Sequence, residues 1–270
     1  MFQTIDPYVF DNHFEPYEPS PEDQAVFLKD RRVFVLRDED GLYLPKCGKY
    51  EADYSYLFSV SGVRFFLGRE LPDALKEADS FLGYRDLFGQ RPEWLAFAAM
   101  IGLQIGCWYE DSTFCGRCGE RMKHSPKERA MICPHCGRTV YPRINPVIIT
   151  AVRDGERLLL TKYARGFDRY ALVAGFAEVG ETIEETVKRE VFEEVGVHVK
   201  NIAFFGSQPW PHSESLLLGF VCDADGDTAI TLQRSELSEG IWMLREQVPV
   251  QENTLSLTST LIEAFRTGKI

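Results

Sequence analysis

From the N-terminus to about Tyr109, apolar positions come in short runs separated by turn formers. Arg32-Val33-Phe34-Val35-Leu36 and Val63-Arg64-Phe65-Phe66-Leu67 read as strands, and Asp38-Glu39-Asp40-Gly41 as a turn after the first. The period then changes. Trp94, Phe97, Ala98, Ile101, Ile105 and Trp108 recur at three- and four-residue steps, which predicts a helix over residues 92–109 with one buried face. Residues 114–140 form a compact segment with paired cysteines. Beyond it, residues 146–152 are rich in β-branched side chains, the pattern of a buried strand, and residues 157–161 read as its hairpin partner across Asp154-Gly155. Helix is expected over residues 183–195, strand over 201–205 and 215–222, and a last helix over 257–265. Strands and helices interleave, so the C-terminal half reads as mixed α/β.

Composition narrows the function classes. The chain of 270 residues, 44% hydrophobic and 26% charged, has the make-up of a soluble globular protein with room for one large domain or two modest ones. No run approaches the roughly 18 to 20 apolar residues that span a bilayer. The start, Met1-Phe2-Gln3-Thr4-Ile5-Asp6, has neither a basic nor an apolar stretch, so the expected location is the cytoplasm, with no membrane partner. A formal net charge of −11 argues against broad nucleic-acid binding, while a local cation or metal can still receive a small anion. The seven cysteines are an odd count that argues against a disulfide framework. Cys47, Cys107 and Cys222 are read as buried apolar residues.

The other four form two CxxC pairs, Cys115-Gly116-Arg117-Cys118 and Cys133-Pro134-His135-Cys136, 14 residues apart. Each pair can turn two thiolates toward one ion, and two pairs make the tetrahedral four-sulfur site of structural zinc, one Zn²⁺ per chain. Gly119 and Gly137 follow the second cysteine of each pair, where such turns call for positive φ. Four sulfur ligands leave no open position for water, so this zinc is not catalytic. His124 and His135 are expected to be surface residues. The segment has a mild basic excess, compatible with an anionic ligand or with a plain structural staple.

Residues 175–197 carry Gly175, Glu181, Arg189, Glu190, Val191, Glu193, Glu194, Gly196 and Val197 at fixed spacing. Thr182 and Glu185 form a capping box at the helix start, and Gly196 ends it. Ile183, Val187, Val191 and Val195 make an apolar stripe, with Glu190, Glu193 and Glu194 on the adjacent arc and Glu194 nearest the stripe. Three carboxylates so placed repel one another, and a divalent cation removes that cost. Hard oxygen ligands select Mg²⁺ or Mn²⁺. Such a metal clamps a diphosphate and activates water. Glu190 and Glu194 are the expected metal ligands, and Glu193 the group that orients or deprotonates the water. Arg189 is expected to point elsewhere, pairing with Glu181 or orienting a glutamate.

This spacing matches every fixed position of the Nudix phosphohydrolase motif. Ser207-Gln208-Pro209-Trp210-Pro211 further resembles the SQPWPFPxS signature of the NADH pyrophosphatase branch, whose members carry a four-cysteine ribbon directly before the Nudix domain. The resemblance implies an α/β (α+β) chain. A mixed N-terminal domain covers residues 1–108, a zinc ribbon 109–142, and a Nudix α/β/α sandwich with a mixed sheet 143–270. It implies hydrolysis of NAD(H) to AMP and nicotinamide mononucleotide, removal of NAD caps from RNA 5′ ends in some members, and a homodimer. By position it implies metal ligation by Glu190, Glu194, Glu236 and the Ala174 carbonyl. Substrate contacts are implied at Arg85, Glu128, Tyr141, Phe176, Gln208, Pro209, Trp210, Pro211, His212, Ser213, Glu214, Ser215 and Thr258, with Phe176 stacking on nicotinamide. The chain departs from the signature at His212-Ser213, in place of Phe-Pro, before rejoining it at Ser215. That change is either a tolerated loop variation or a change in ligand choice. The alternatives are another nucleoside diphosphate derivative, such as ADP-ribose or a dinucleoside polyphosphate, or a Nudix-fold ligand sensor.

Overall fold

The computed structural model describes residues 1–166 and 169–270. It divides into two compact units, Phe2–Arg143 and Ile144–Ile270, the latter together with Met1.

In the first unit, β1 (Tyr54–Val60) and β2 (Val63–Gly68) form an antiparallel hairpin, flanked by Phe10–Asp11 on one side and, in parallel, by Gln24–Val26 on the other. The run expected as one strand over residues 32–36 is two. Arg32–Phe34 pairs with Leu28–Lys29 and Phe81–Leu82, whereas Leu36–Asp38 pairs with Gly41–Tyr43 across the expected turn. Helix α1 (Glu93–Asp111) is buried along nearly its whole circumference rather than on one face. Two glycines explain this. A Cβ on Gly102 would meet Val26 at 3.0 Å, and one on Gly106 would meet Leu28 at 2.4 Å, so neighbouring strands press directly on the helix backbone. The ribbon belongs to this unit. Its short strands Lys123–His124, Met131–Ile132 and Thr139–Val140 form an antiparallel sheet. His124 is not a surface residue: it stacks on Tyr109, with ring centroids 4.5 Å apart, and burial beside Arg69 lowers its pKa to about 4. His135 is exposed, and Cys47, Cys107 and Cys222 are buried thiols.

The second unit is built on a six-stranded mixed sheet. Its strands are β3 (Asn145–Asp154), β4 (Arg157–Tyr163), β5 (Val173–Phe176), β6 (Val199–Trp210), β7 (Ser215–Ala224) and β8 (Leu237–Leu244), in the order β6-β7-β3-β4-β8 with β5 paired to β3. β3 and β7 are parallel, and the other pairs are antiparallel. β3 is apolar on both faces because both are covered. Ile148 and Val152 pack against α2 (Ile183–Val195), and Val147, Ile149 and Ala151 against α3 (Leu257–Arg266). The result is the α/β/α sandwich. Residues 201–205 are only part of β6, which runs on through the Ser207–Trp210 signature.

Candidate functional site

Helix α2 begins where its capping chemistry dictates. The Thr182 hydroxyl accepts from the Glu185 N–H at 3.3 Å, and the Glu185 carboxylate accepts from the Thr182 N–H at 2.8 Å. Gly196 ends it at φ 73°. Val187, Val191 and Val195 are fully buried against the sheet, which fixes the rotation of the helix. Glu194, next to that stripe, is therefore a carboxylate with only 3% of its surface exposed. Glu190 is half-buried, and Glu193 and Glu236 are exposed.

The electrostatics show what ionisation of this arrangement costs. Burial, then the charges of Glu190 and Glu236, push the Glu194 carboxyl up to about 8, against a partly offsetting hydrogen bond from the Ala174 backbone. Burial also raises Glu190, with Glu193 and Glu236 adding to the effect and Arg189 opposing it. Burial beside two other acids disfavours the ionised form of Glu194, and a nearby cation would favour it. Carboxylate oxygens are the donors that suit a hard divalent ion.

Gly175, the first residue of the motif, makes room for this cluster. A Cβ there would lie 2.0 Å from the carboxyl carbon of Glu190. β5 thus passes so close under α2 that only a glycine leaves the Glu190 carboxylate its place.

Arg189 does more than pair with Glu181. Its guanidinium donates to both Glu181 oxygens at 2.5 and 2.9 Å, to Glu190 at 2.7 Å, to Glu193 at 3.0 Å and to the Phe176 carbonyl at 2.9 Å. It ties the loop after β5 to the helix and orients two of the three motif carboxylates. The Arg189 guanidinium, with the Glu178 N–H, draws Glu181 down to about 2. Both expected roles, pairing with Glu181 and orienting a glutamate, are present; the bond to the Phe176 carbonyl was not legible because spacing does not show how near β5 runs.

The signature segment divides by burial. Gln208 is fully buried, and its amide donates to the Leu255 carbonyl at 2.9 Å and accepts from the Leu257 N–H at 2.7 Å, pinning the start of α3. Pro211 and Ser215 are buried, Pro209, Trp210 and Glu214 half-buried, and His212 and Ser213 exposed. The His212-Ser213 departure is accommodated in a short 3-10 turn, Pro211–Ser213, followed by Glu214 at φ 52°. Ser213 and Ser215 share a hydroxyl hydrogen bond of 2.9 Å, and Asn145 donates to the Ser213 carbonyl at 3.2 Å. Phe176 is exposed at the end of β5, and Thr258 is half-buried in the first turn of α3. In the first unit, Arg85 is exposed on the short helix Tyr84–Leu87. The Tyr141 hydroxyl donates to Glu128 at 3.1 Å, both side chains exposed.

The ribbon gathers its sulfurs as expected. Sγ of Cys115 lies 3.6 Å from that of Cys136, and Cys118 lies 3.5 Å from Cys133. A tetrahedron of sulfurs about 2.3 Å from zinc has edges of about 3.8 Å, so the cluster fits that ion. Gly119 and Gly137 take φ of 76° and 71° and close the two turns through hydrogen bonds to the Cys115 and Cys133 carbonyls. The backbone N–H of Arg117 helps draw the Cys115 thiol down to about 6, whereas, against the Glu120 backbone N–H, burial and the neighbouring sulfurs push Cys118 up to about 12.

Comparison with known proteins follows the same division. The family described as NUDIX domain matches residues 142–263, and the NADH pyrophosphatase zinc ribbon domain matches residues 110–141. A NUDIX hydrolase from Nitrosomonas europaea of known crystal structure superimposes with a TM-score of 0.50 at 20% identity, covering 58% of this chain and 92% of that one, a likeness of fold. The NAD-capped RNA hydrolase NudC of Haemophilus influenzae (strain PittGG) is 41% identical over 168 residues, 60% of this chain and 63% of the relative. The match thus spans about three fifths of that relative's length. With the protein of the same name from Klebsiella pneumoniae (strain 342), identity is 39% over 249 residues, covering 89% of this chain and 95% of the relative. With the motif helix, the four-sulfur ribbon and this near full-length match together, the chain belongs to the Nudix hydrolases, in the branch that carries the NADH pyrophosphatase zinc ribbon.

Proposed function

We propose that this protein hydrolyses the central pyrophosphate of NAD(H), giving AMP and nicotinamide mononucleotide, and that it acts on the same linkage at the NAD-capped 5′ end of RNA. The observation that carries the reading is the buried Glu194, whose carboxyl is raised by burial and by the charges of Glu190 and Glu236, a cost that a divalent cation removes. Relatives named NAD-capped RNA hydrolase supply the substrate class. The ion is Mg²⁺ or Mn²⁺, held by Glu190, Glu194, Glu236 and the Ala174 carbonyl. When bound, it offsets charge on the pyrophosphate and lowers the pKa of water. Glu193, exposed and oriented by Arg189, takes the proton of the attacking water. Phe176 offers an exposed ring for nicotinamide, and the signature loop from Gln208 to Ser215, with Arg85, Glu128, Tyr141 and Thr258, holds the rest of the dinucleotide. Gln208 and Ser215 act by shaping the loop, since both are buried, Gln208 bonded to the backbone of Leu255 and Leu257 and Ser215 to Ser213. The working division is residues 1–108, the ribbon at 109–142 and the Nudix domain at 143–270, in a homodimer that acts in the cytoplasm.

The deciding experiment offers the purified protein, with Mg²⁺ or Mn²⁺, NADH, NAD⁺, ADP-ribose, diadenosine polyphosphates and NAD-capped RNA. AMP and nicotinamide mononucleotide in equal amounts support the proposal. Turnover of ADP-ribose or a dinucleoside polyphosphate alone overturns it in favour of the second reading, which the His212-Ser213 departure favours. Ligand binding without turnover of any of them identifies a sensor.

A further inference from the structure

Tyr163 is the last residue of β4, where the ladder to β8 slips by one residue. Lys162 is opposite Glu239 and Tyr163 opposite Leu237, so Ser238 has no partner. Side chains alternate along β4. Leu158 and Leu160 pack in the cluster on the α3 side, and Leu159 in the cluster on the α2 side. Thr161 and Tyr163 continue the Leu159 row. Leu237, across from Tyr163, is buried with the α2 valines, which confirms the face. The phenol therefore stands under the motif helix, one step beyond the last buried side chain of its row. The backbone fixes it beside Glu236, whose carbonyl accepts from the Ala164 N–H at 2.7 Å.

Two further observations bear on its chemistry. Tyr163 is 38% exposed; its backbone carbonyl accepts from the Ser238 hydroxyl at 3.1 Å, and among the described residues no hydrogen bond of its own hydroxyl is seen. Burial, then the carboxylates of Glu194 and Glu236, raise its pKa, so it is protonated at neutral pH. A free O–H thus lies within electrostatic range of two carboxylates in a site lined by glutamates.

We propose that Tyr163 is a substrate-contacting residue whose hydroxyl donates to a non-bridging oxygen of the pyrophosphate. The site needs such a group. Glu190, Glu194 and Glu236 repel a diphosphate, and a lysine or arginine in place of Tyr163 would pair with those carboxylates and compete with the cation. A neutral donor attracts the phosphate oxygen and leaves the carboxylates to the metal. The inference rests on the proposed pyrophosphatase reading only in taking a phosphate oxygen as the acceptor.

The test separates the two. Tyr163→Phe keeps the ring and removes the donor. Binding of inorganic pyrophosphate is measured calorimetrically in the presence of Ca²⁺, and Mn²⁺ binding alone by electron paramagnetic resonance. A hydrogen bond to a charged acceptor predicts pyrophosphate affinity lower by about tenfold to a hundredfold, with Mn²⁺ affinity unchanged. For NADH the loss falls on kcat/KM. Unchanged pyrophosphate affinity overturns the assignment, as does a wild-type protein that binds no pyrophosphate. Equal loss of Mn²⁺ and pyrophosphate binding overturns it too, placing Tyr163 among the supports of the carboxylates. If the wild type binds pyrophosphate tyrosine-dependently but cleaves no NADH, the reading of the substrate fails and this one stands.

Discussion

The ribbon gathers four sulfurs and the motif helix carries carboxylates, and their geometries differ. The four cysteine sulfurs lie within 4.8 Å of one another, and among the described residues they are the one group of three or more such ligands that closes so tightly. The glutamates are graded instead: Glu194 is buried, Glu190 half-buried and Glu236 exposed. A closed tetrahedron of soft ligands uses every coordination position and serves the fold. A graded set of hard ligands leaves positions facing solvent, where phosphate and water can enter. The sequence spacing reflects the same difference. Turns bring the sulfurs together from two short hairpins, whereas a helix fixes Glu190 and Glu194 and a separate strand end brings Glu236.

The largest expected effect tests the open side of this comparison. Glu190→Gln or Glu194→Gln should lower the rate of pyrophosphate hydrolysis at saturating Mg²⁺ by about two to four orders of magnitude. The thermal transition of the metal-free protein should not fall, since Glu194 is an uncompensated buried acid. Near wild-type turnover in either variant would remove the carboxylates from the mechanism.

The closed side predicts the reverse pattern. Metal analysis of the wild type should find about one zinc per chain, and Cys115→Ser or Cys136→Ser should abolish it. Amide protection should be lost over residues 115–140, while turnover falls by roughly tenfold, indirectly, because Glu128 and Tyr141 lie in and directly after the ribbon. Full zinc content in either variant would contradict a four-sulfur site.

A third effect distinguishes the sites by pH. Without a cation, the folded-state pKa of Glu194, about 8, lies above the ordinary 4.5. The neutral acid is favoured in the folded state, so its contribution to stability is fully present below pH 4.5 and is lost as pH rises through 8. A divalent cation needs the carboxylate and displaces that proton. Mn²⁺ affinity should therefore rise by up to about tenfold per pH unit toward pH 8 and then level off. Glu194→Gln should flatten the profile. A wild-type profile already flat between pH 6 and 8 would show that Glu194 is ionised without metal.

The smallest effect concerns ligand choice. The double change His212→Phe with Ser213→Pro restores an apolar ring and a fixed φ, and removes the Ser213–Ser215 hydroxyl contact. The ratio of kcat/KM for NADH against ADP-ribose should shift by about tenfold at most. An unchanged ratio would mark the departure as neutral.

What was legible in the sequence was what local chemistry decides. The bounds of α2 follow from Thr182, Glu185 and Gly196, and the ribbon turns from Gly119 and Gly137, all of which act within a few residues. Contacts between distant segments were not legible. Strand β8 reads Leu237-Ser-Glu-Gly-Ile-Trp-Met-Leu244 and has no clean alternation, since it is an edge strand with a ladder slip. The full burial of α1 depends on Val26 and Leu28 reaching Gly102 and Gly106, which helical periodicity cannot show. In the site, the three motif glutamates were visible because one helix carries them. The reach of Arg189 to Phe176 and the place of Tyr163 come from strand pairing, and so does the burial of Gln208 against the start of α3.

The contact at Gly175 also constrains how such a chain can diverge. A single base change converts glycine to alanine, and here the added methyl carbon would lie 2.0 Å from the Glu190 carboxyl carbon, so that side chain would have to move. The hydrophobic layers, the α2 cap and the ribbon take no part in that clash. The fold and the placement of the Glu190 carboxylate are therefore separable at one codon. A gene copy altered there would still encode the sandwich while losing the arrangement of its carboxylates, which is a short mutational path from a phosphohydrolase to a domain that only binds.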